Sequence, residues 1–315
     1  MDILIVSGFL GAGKTTFIKM LAEKTKKDFC VMENEYAGSN IDGAQLRDFA
    51  GSLQNEVSVR ELTEGCICCS MKTDFASSVL TIANTINPDY LVVEPTGAAM
   101  LGNILLNLSQ IQYERIRLLA PVTIVDGRAF LSQTRDFPDL FGDQIRSAGT
   151  VLVSKTESME KEERSHITAL LQSMGTSARC IAEPYSRLPD SVWQSFLTTC
   201  RDGGQLAPKA LPEPELESLC LKNVRLPSCS HFIFFLEALL SGLFGKISRA
   251  KGIVTAGSAL FYFDVAGGRY CITGADSCEE NSAVFIGSGL KRAWLREVLF
   301  QDSFTWRPLK HPFSR

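Results

Sequence analysis

The segment GFLGAGKT, residues 8–15, constrains the fold of this chain more than any other. It fits the pattern GxxxxGK[ST], with an apolar run before it and a helical pattern after it, which is the context that a phosphate-binding loop requires. Backbone N–H groups at the start of that helix point toward phosphates, at the positive end of the helix dipole. Lys14 would neutralise the β- and γ-phosphates and the Thr15 hydroxyl would bind Mg²⁺. The predicted nucleotide contacts from this loop are Gly11, Ala12, Gly13, Lys14, Thr15 and Thr16.

The first two hundred residues alternate apolar β-type runs with helix-length segments, the pattern of a parallel sheet covered on both faces. The predicted strands are 2–7, 28–33, 90–94, 121–126 and 150–154. The predicted helices are 14–26, 71–86, 99–109, 157–174 and 190–200. The fold class is therefore α/β, a P-loop NTPase with a mostly parallel sheet.

A stretch rich in proline and glycine, DGGQLAPKALPEPELES, interrupts this pattern and indicates a linker. A smaller α+β domain follows it. Its predicted strands are 219–226, 250–256, 259–265, 269–273 and 283–287, and its predicted helices are 230–241 and 289–300. The first of these helices is apolar nearly all round, so we expect it to be buried against the sheet. The predicted domains are 1–201 and 218–315, joined by a linker at 202–217.

Composition excludes some partners. The net charge of −3 creates no field that attracts nucleic acid or an anionic membrane, and no run of Lys or Arg supplies a local one. The longest apolar stretch, 232–244, is shorter than the ~20 residues of a membrane span. We expect a cytoplasmic protein in which the ten cysteines are thiols, and the seven scattered ones are expected to be mostly small buried apolar residues.

Glu94 ends a second apolar strand, LVVE, and is followed by Pro95-Thr96-Gly97. An acidic group at this place would either hold the Mg²⁺ shell or position the attacking water, and the amides after it lie where a γ-phosphate could be sensed. The alternative is an ordinary solvated glutamate at a strand end. We predict Lys14, Thr15 and Glu94 as the catalytic residues.

The strand at 150–154 ends in Ser154-Lys155-Thr156-Glu157, where GTPases carry NKxD. Glu157 could accept both guanine protons, N1–H and N2–H, which adenine does not offer as a pair. Lys155 could stack its stem on the base. Ser154 is too short to copy everything that an Asn amide does. Guanine is favoured, and GTP with Mg²⁺ is the expected nucleotide.

Three cysteines stand together in the segment ELTEGCICC, at Cys66, Cys68 and Cys69. Three convergent thiolates suit Zn²⁺, Co²⁺ or another soft or borderline ion and leave one coordination position open. A buried apolar patch and a redox-active vicinal thiol pair are the alternatives.

With these motifs the sequence resembles the CobW-type GTPases, relatives of the nickel- and urease-maturation GTPases. The phosphate loop SGFLGAGKTT, the switch-like segment ENEYA, the signature GCICC and the ExxG of residues 94–97 all match. The resemblance spans essentially the whole chain. It implies a GTP-dependent metallochaperone or insertase that delivers the ion to a client metalloprotein, with the metal at the three cysteines and Glu33 nearby.

The chain also departs from the family pattern. Glu64 replaces the favoured Asn, Gly38 replaces a second switch acid, and the base motif is SKTE. Only three histidines occur, so the His-rich metal-collecting loop of many members is missing. In the predicted mechanism, GTP orders a switch segment at about 34–45 and completes the metal site, and hydrolysis releases the ion. Two alternatives stay open: a nucleotide-modulated metal buffer or sensor, and an ATP- or GTP-dependent activator of a corrinoid or other metalloprotein. The oligomeric state is also open, a nucleotide-dependent homodimer included.

Overall fold

The computed structural model of the chain describes residues 1–33, 59–63, 72–112, 115–201, 216–275 and 281–300. The chain divides into two compact units, Met1–Glu215 and Leu216–Arg315. The predicted switch segment, the cysteine triplet and nearly all of the predicted linker lie outside the described residues.

The first unit contains an eight-stranded sheet whose strand pairings are parallel throughout the described part. Its strands are β1 (Asp2–Gly8), β2 (Phe29–Glu33), β3 (Val59–Thr63), β4 (Tyr90–Glu94), β5 (Arg117–Leu118), β6 (Val122–Asp126), β7 (Thr150–Ser154) and β8 (Arg179–Ile181). The order across the sheet is β3-β2-β4-β1-β6-β7-β8, with β5 paired to β1. The strand order therefore reverses beside β1, and ligands bind at the carboxyl edge of such a point.

Helices cover both faces of this sheet. They are α1 (Lys14–Thr25), α2 (Lys72–Thr85), α3 (Leu101–Ser109), α4 (Phe130–Asp136), α5 (Pro138–Arg146), α6 (Lys161–Ser173) and α7 (Asp190–Thr198). Phe17 of α1 and Trp193 of α7 stack with ring centroids 5.7 Å apart over one face. Phe75 of α2 and Leu105 of α3 are buried on the other. The α/β class is confirmed, and the predicted elements lie at observed ones with their ends displaced by a few residues. The sequence patterns did not predict β3, β5, β8, α4 or α5.

The second unit is a separate α+β domain, as predicted. Its six-stranded sheet has the order β13-β12-β11-β14-β9, with the short β10 paired to β11, and its longer strands pair antiparallel. The strands are β9 (Glu217–Lys222), β10 (Arg225–Leu226), β11 (Lys246–Ala256), β12 (Ala259–Ala266), β13 (Arg269–Ala275) and β14 (Ser282–Ser288). The helices are α8 (Cys229–Leu240) and α9 (Arg292–Leu299).

The expected burial of helix α8 against the sheet is confirmed on one side of the helix, and the expected burial of most scattered cysteines is wrong. Helix α8 buries one side in the core of this unit through Phe232, Phe235, Leu236 and Leu239. Its other side leaves Phe234 75% exposed, so the helix is not buried all round. Most scattered cysteines are not buried either. Cys30 is buried in β2, whereas Cys200, Cys220, Cys229 and Cys271 are exposed.

The helices of the described ranges include none that is both long and apolar enough for a membrane span.

The carboxyl group of Asp143 on α5 is buried inside the first unit. Its Oδ2 accepts a hydrogen bond from the Gly102 backbone N–H, 3.1 Å away, in the first turn of α3. Four backbone N–H groups at a helix start lack partners within the helix, and this carboxyl group satisfies one of them. Burial raises the pKa of Asp143 above its ordinary value of 3.8, and the Gly102 bond opposes that rise without cancelling it.

This burial predicts a pH dependence of stability. Because the raised pKa lets Asp143 hold its proton more tightly in the folded state than in the unfolded chain, its contribution to the free energy of unfolding falls as pH rises from the ordinary pKa through the raised one. Each unit of pKa change corresponds to about 1.4 kcal/mol. In Asp143→Asn the amide oxygen still accepts from Gly102, so this fall should disappear. Urea unfolding at a series of pH values measures it, with Asp139→Asn, an exposed residue of the same helix, as the control. Equal pH profiles for wild type and Asp143→Asn would contradict the prediction.

Candidate functional site

The loop between β1 and α1 is held in place by close backbone contacts. At Gly8 the backbone φ is 138°, and an added Cβ would lie 2.2 Å from the Ile124 carbonyl oxygen of β6. A side chain is therefore excluded at this position. Further along, the Ala12 N–H donates to the Phe9 carbonyl oxygen at 3.1 Å, which tightens the turn. The chain thus leaves β1 in a compact loop and enters α1 at Lys14.

Lys14, Thr15 and Glu94 come together at the carboxyl ends of β1 and β4. Their side chains meet because these strands are adjacent and in register, with Ile5 opposite Val93. Thr15 Oγ1 lies 3.3 Å from each Glu94 carboxylate oxygen. Lys14 Nζ donates to the Gly8 carbonyl oxygen at 3.2 Å and lies 3.9 Å from Glu94 Oε1. Lys14 is only 8% exposed, so its charge is held in a largely desolvated position.

Hard oxygen ligands for Mg²⁺ are present at this point. A threonine hydroxyl and a carboxylate stand side by side, and both are ligand types that Mg²⁺ prefers. The donor set therefore fits the cation that the sequence predicts at Thr15 and Glu94.

The loop that follows Glu94 lies directly against the phosphate loop. A Cβ at Gly97 would be 2.4 Å from the Leu10 backbone nitrogen, so only glycine allows this approach. Thr96 Oγ1 accepts a hydrogen bond from the Ala98 N–H at 3.2 Å and closes a small turn. The two loops are thereby packed backbone to backbone.

The segment after β7 is tied to the phosphate loop by two side chains. Ser154 Oγ donates to the Ala12 carbonyl oxygen at 2.6 Å. Lys155 Nζ donates to the Gly11 carbonyl oxygen at 2.9 Å and forms an ion pair with Asp126. Glu157 stays exposed at the end of this segment. Ser154 and Lys155, two of the predicted base-reading residues, therefore contact the phosphate loop, and the third, Glu157, is exposed.

Two residues of this region were not predicted from the sequence. Asp126 ends β6 and is 5% exposed, and besides the Lys155 ion pair its Oδ1 accepts from the Arg128 N–H at 2.9 Å. Its signal was an acidic residue closing the apolar strand VTIVD, the same signal that identified Glu94. Tyr185 follows β8 and packs edge-on against Phe17. Burial, and to a lesser degree the Glu157 charge, raise the pKa of its hydroxyl, and no sequence pattern pointed to it.

The side chains of several predicted site residues lie outside the described part of the structure. Cys66, Cys68 and Cys69 lie outside the described residues, as does the side chain of Glu33. The backbone of Glu33 ends β2 in register with Glu94. Among the described residues, no three His, Cys, Asp or Glu side chains are grouped so as to hold a metal. Thr16 is exposed on the first turn of α1.

Comparisons with known proteins cover both units. The family model described as CobW/HypB/UreG, nucleotide-binding domain, matches residues 2–182. The model described as cobalamin synthesis protein cobW C-terminal domain matches residues 217–301.

Individual relatives match over part of their length. The zinc chaperone YeiR of Escherichia coli is 30% identical over 187 residues, which are 58% of this chain and 55% of YeiR. The zinc-regulated GTPase metalloprotein activator 1 of Schizosaccharomyces pombe is 28% identical over 195 residues, 60% of this chain and 47% of that protein. The chain thus spans about half the length of the curated relatives it matches. A crystal structure of Zn(II)-bound YjiA GTPase from E. coli covers 95% of this chain and 97% of its own, with 18% identity and a TM-score of 0.45.

The buried position of Lys14 predicts a large effect of its removal. In Lys14→Ala, the affinity for a nucleoside triphosphate should fall about tenfold to a hundredfold, because hydrogen bonds to charged groups contribute about 1.5–3 kcal/mol each. Titration calorimetry with GTP measures the loss, and circular dichroism verifies the fold. Lys24→Ala, which removes the same charge from an exposed position on α1, should bind like wild type. Tight GTP binding by Lys14→Ala would show that residues 8–15 are not the phosphate loop.

Proposed function

Because this chain belongs to the CobW/HypB/UreG family, we propose that it is a GTP-hydrolysing metallochaperone that delivers Zn²⁺ or Co²⁺ to a client metalloprotein. The observation that carries the proposal is the close grouping of the buried Lys14 with the partly buried Thr15 and Glu94 at the phosphate loop. The names of two relatives, zinc chaperone and zinc-regulated GTPase metalloprotein activator, agree with it.

For hydrolysis, each member of this group has a separate task. Lys14 neutralises charge on the β- and γ-phosphates, and Thr15 with Glu94 would hold Mg²⁺. The cation, when bound, neutralises the charge that develops on the phosphate oxygens during transfer. The buried setting of Lys14 supports this role, because a charge in a water-poor site stabilises a developing negative charge more strongly than the same charge in water.

For base selection, Glu157 would accept hydrogen bonds from guanine N1–H and N2–H. The fixed geometry of the neighbouring residues supports this proposal. Ser154 and Lys155 anchor the segment to the carbonyl oxygens of Ala12 and Gly11, so the carboxylate two residues later is carried on a backbone that is tied to the phosphate site.

For the cargo, Cys66, Cys68 and Cys69 would bind the ion as thiolates, with Glu33 nearby. Strand β3 leads into this triplet and ends at Thr63, which is in register with Glu33 on β2, itself in register with Glu94 on β4. Neighbouring strands are about 4.8 Å apart, so Thr63 and Glu94 end roughly 10 Å from each other at the same edge. Cys66 comes three residues after Thr63, and three residues of extended chain span at most roughly 10 Å. This register supports a cargo site near the nucleotide site.

The proximity supports coupling between the two sites. The proposed switch segment, at about 34–45, lies in the chain between β2 and β3, and the cysteines follow β3. If the γ-phosphate orders this segment, the ordering would change the conformation of the cysteine segment as well. GTP can drive metal transfer only as far as the metal affinities of the GTP and GDP states differ. Metal must in return strengthen binding of a GTP analogue by the same factor.

The base proposal predicts a preference that depends on Glu157. GTP should displace a labelled guanine nucleotide better than ATP by about five- to 150-fold, since an unpaired carboxylate against adenine costs roughly 1–3 kcal/mol. Glu157→Ala should lose most of this preference, and Glu163→Ala, exposed on α6, should keep it. If wild type binds the two nucleotides equally, an ATP-dependent activator becomes the better interpretation.

The cargo proposal predicts nucleotide-dependent metal affinity. Co²⁺ should bind one site per chain with a thiolate charge-transfer absorption, more tightly with a non-hydrolysable GTP analogue than with GDP by about five- to 150-fold. Proton release should accompany binding, because the thiols must ionise to ligate.

Two variants test where the metal binds. The Cys66/Cys68/Cys69 triple Ser variant should lose the absorption, and Cys220→Ser, an exposed cysteine of the second unit, should retain it. Equal cobalt affinity in both nucleotide states, together with absent multiple-turnover hydrolysis, would favour the buffer or sensor. An unchanged absorption in the triple variant would place the metal at other residues.

A further inference from the structure

A buried glutamine on α5 holds the loop that follows Glu94. Gln144 is 1% exposed, and its Nε2 donates to two carbonyl oxygens, that of Gly97 at 3.2 Å and that of Ala99 at 3.1 Å. The orientation of the amide is fixed by this pair, because turning it over would place its oxygen against both carbonyls. A single side chain therefore fixes two points of the loop.

The helix that carries Gln144 is itself fixed on two sides. Its backbone oxygen at Gln144 accepts from Thr123 Oγ1 of β6 at 2.8 Å. The adjacent Asp143 accepts from the Gly102 N–H, where the same loop enters α3. Two consecutive residues of one helix thus hold the backbone at Gly97, Ala99 and Gly102. That helix is hydrogen-bonded in turn to a central strand of the sheet.

The start of the same helix contacts the phosphate loop. Phe137, the residue before α5, packs on Phe9 with ring centroids 5.1 Å apart. Gly97 in turn lies against the Leu10 backbone, as the 2.4 Å approach of an added Cβ shows. Helix α5 therefore contacts both loops of the candidate site and fixes the spacing between them.

We propose that Gln144 is a positioning residue that holds the Gly97–Ala99 backbone in the geometry required by the γ-phosphate, and so determines how strongly the protein distinguishes GTP from GDP. The proposal rests on the proposed function, because it concerns the same nucleotide. Gln144 does not touch the nucleotide itself. Its effect is transmitted through the carbonyl oxygens of two loop residues.

The expected effect is selective for the third phosphate. The α- and β-phosphates would contact the phosphate loop, whose carbonyl oxygens are held directly by Ser154 and Lys155. The Gln144 amide donates to the Glu94 loop instead and reaches the phosphate loop only through the contact of Gly97 with Leu10. A γ-phosphate extends toward Glu94 and the loop behind it. Loosening that loop adds an ordering cost when the triphosphate binds and none when the diphosphate binds.

The test compares two buried glutamines. Gln144→Met keeps the side-chain length and removes both donated hydrogen bonds, so the affinity ratio of a non-hydrolysable GTP analogue to GDP should fall about tenfold. GDP affinity itself should change by less than about twofold. Gln133→Met is the matched control: Gln133 is 5% exposed on the preceding helix α4, and its side-chain oxygen, like that of Gln144, accepts no hydrogen bond within the described ranges. Its ratio should equal that of wild type.

A second variant keeps the test decisive if Gln144→Met does not fold. Gln144→Asn retains the amide but shortens it by one methylene, so that it reaches at most one carbonyl, and its ratio should fall by a smaller factor. Single-turnover hydrolysis of GTP should slow in the same order. A folded Gln144→Met or Gln144→Asn protein with the wild-type ratio would overturn the positioning role. A wild-type protein that does not bind the GTP analogue would instead refute the proposed function, so the two failures are distinguishable.

Discussion

The pairing of β1 with β4 is the interaction on which the candidate site depends. The two strands are parallel, adjacent and in register, so the residues that leave their carboxyl ends meet at one point of the sheet edge. Gly8 and Gly97 then allow the two exit loops to approach β6 and each other without side chains between them. A shift of one residue in this register would turn every side chain of the strand to the opposite face and separate Thr15 from Glu94. The chemistry therefore depends on strand pairing as much as on the phosphate loop.

A shell of polar side chains fixes the loops that this pairing brings together. Ser154 and Lys155 bind two carbonyl oxygens of the phosphate loop from one side, and Gln144 binds two carbonyl oxygens of the Glu94 loop from the other. In each case a side-chain donor satisfies a buried backbone acceptor. Buried carbonyl groups that lose such partners are costly, so these bonds define one loop geometry and exclude others.

Much of the first unit could be predicted because its strands are buried on both faces and therefore appear as continuous apolar runs. Strand β3 is the informative exception. Its sequence VRELT has two apolar residues separated by two charged ones, without strict alternation, and a five-residue edge strand of this kind gives too little pattern to recognise. Helices α4 and α5 were missed for a related reason, since both are short and meet at Pro138.

The exposed cysteines show a different limit. Cys220 on β9 and Cys271 on β13 lie at exposed positions of their strands. Sequence alone did not indicate which face of each strand the core would cover.

The segment SKTE shows what a substitution within a motif can preserve. A serine in place of asparagine loses reach toward a base, yet Ser154 is 5% exposed and its hydroxyl lies 2.6 Å from the Ala12 carbonyl oxygen, with the Val125 carbonyl oxygen farther away at 3.2 Å. A hydroxyl has only one proton to donate, so this residue acts on the phosphate loop rather than as a donor to a base. Lys155 adds a second tie, with its backbone in the left-handed region at φ 58° and its ammonium group between Gly11 and Asp126. The strain of that backbone is compensated by the contacts that hold it. The first two residues of the motif thus hold the phosphate loop, and under the proposed function base reading is left to Glu157, the exposed acidic group of the four.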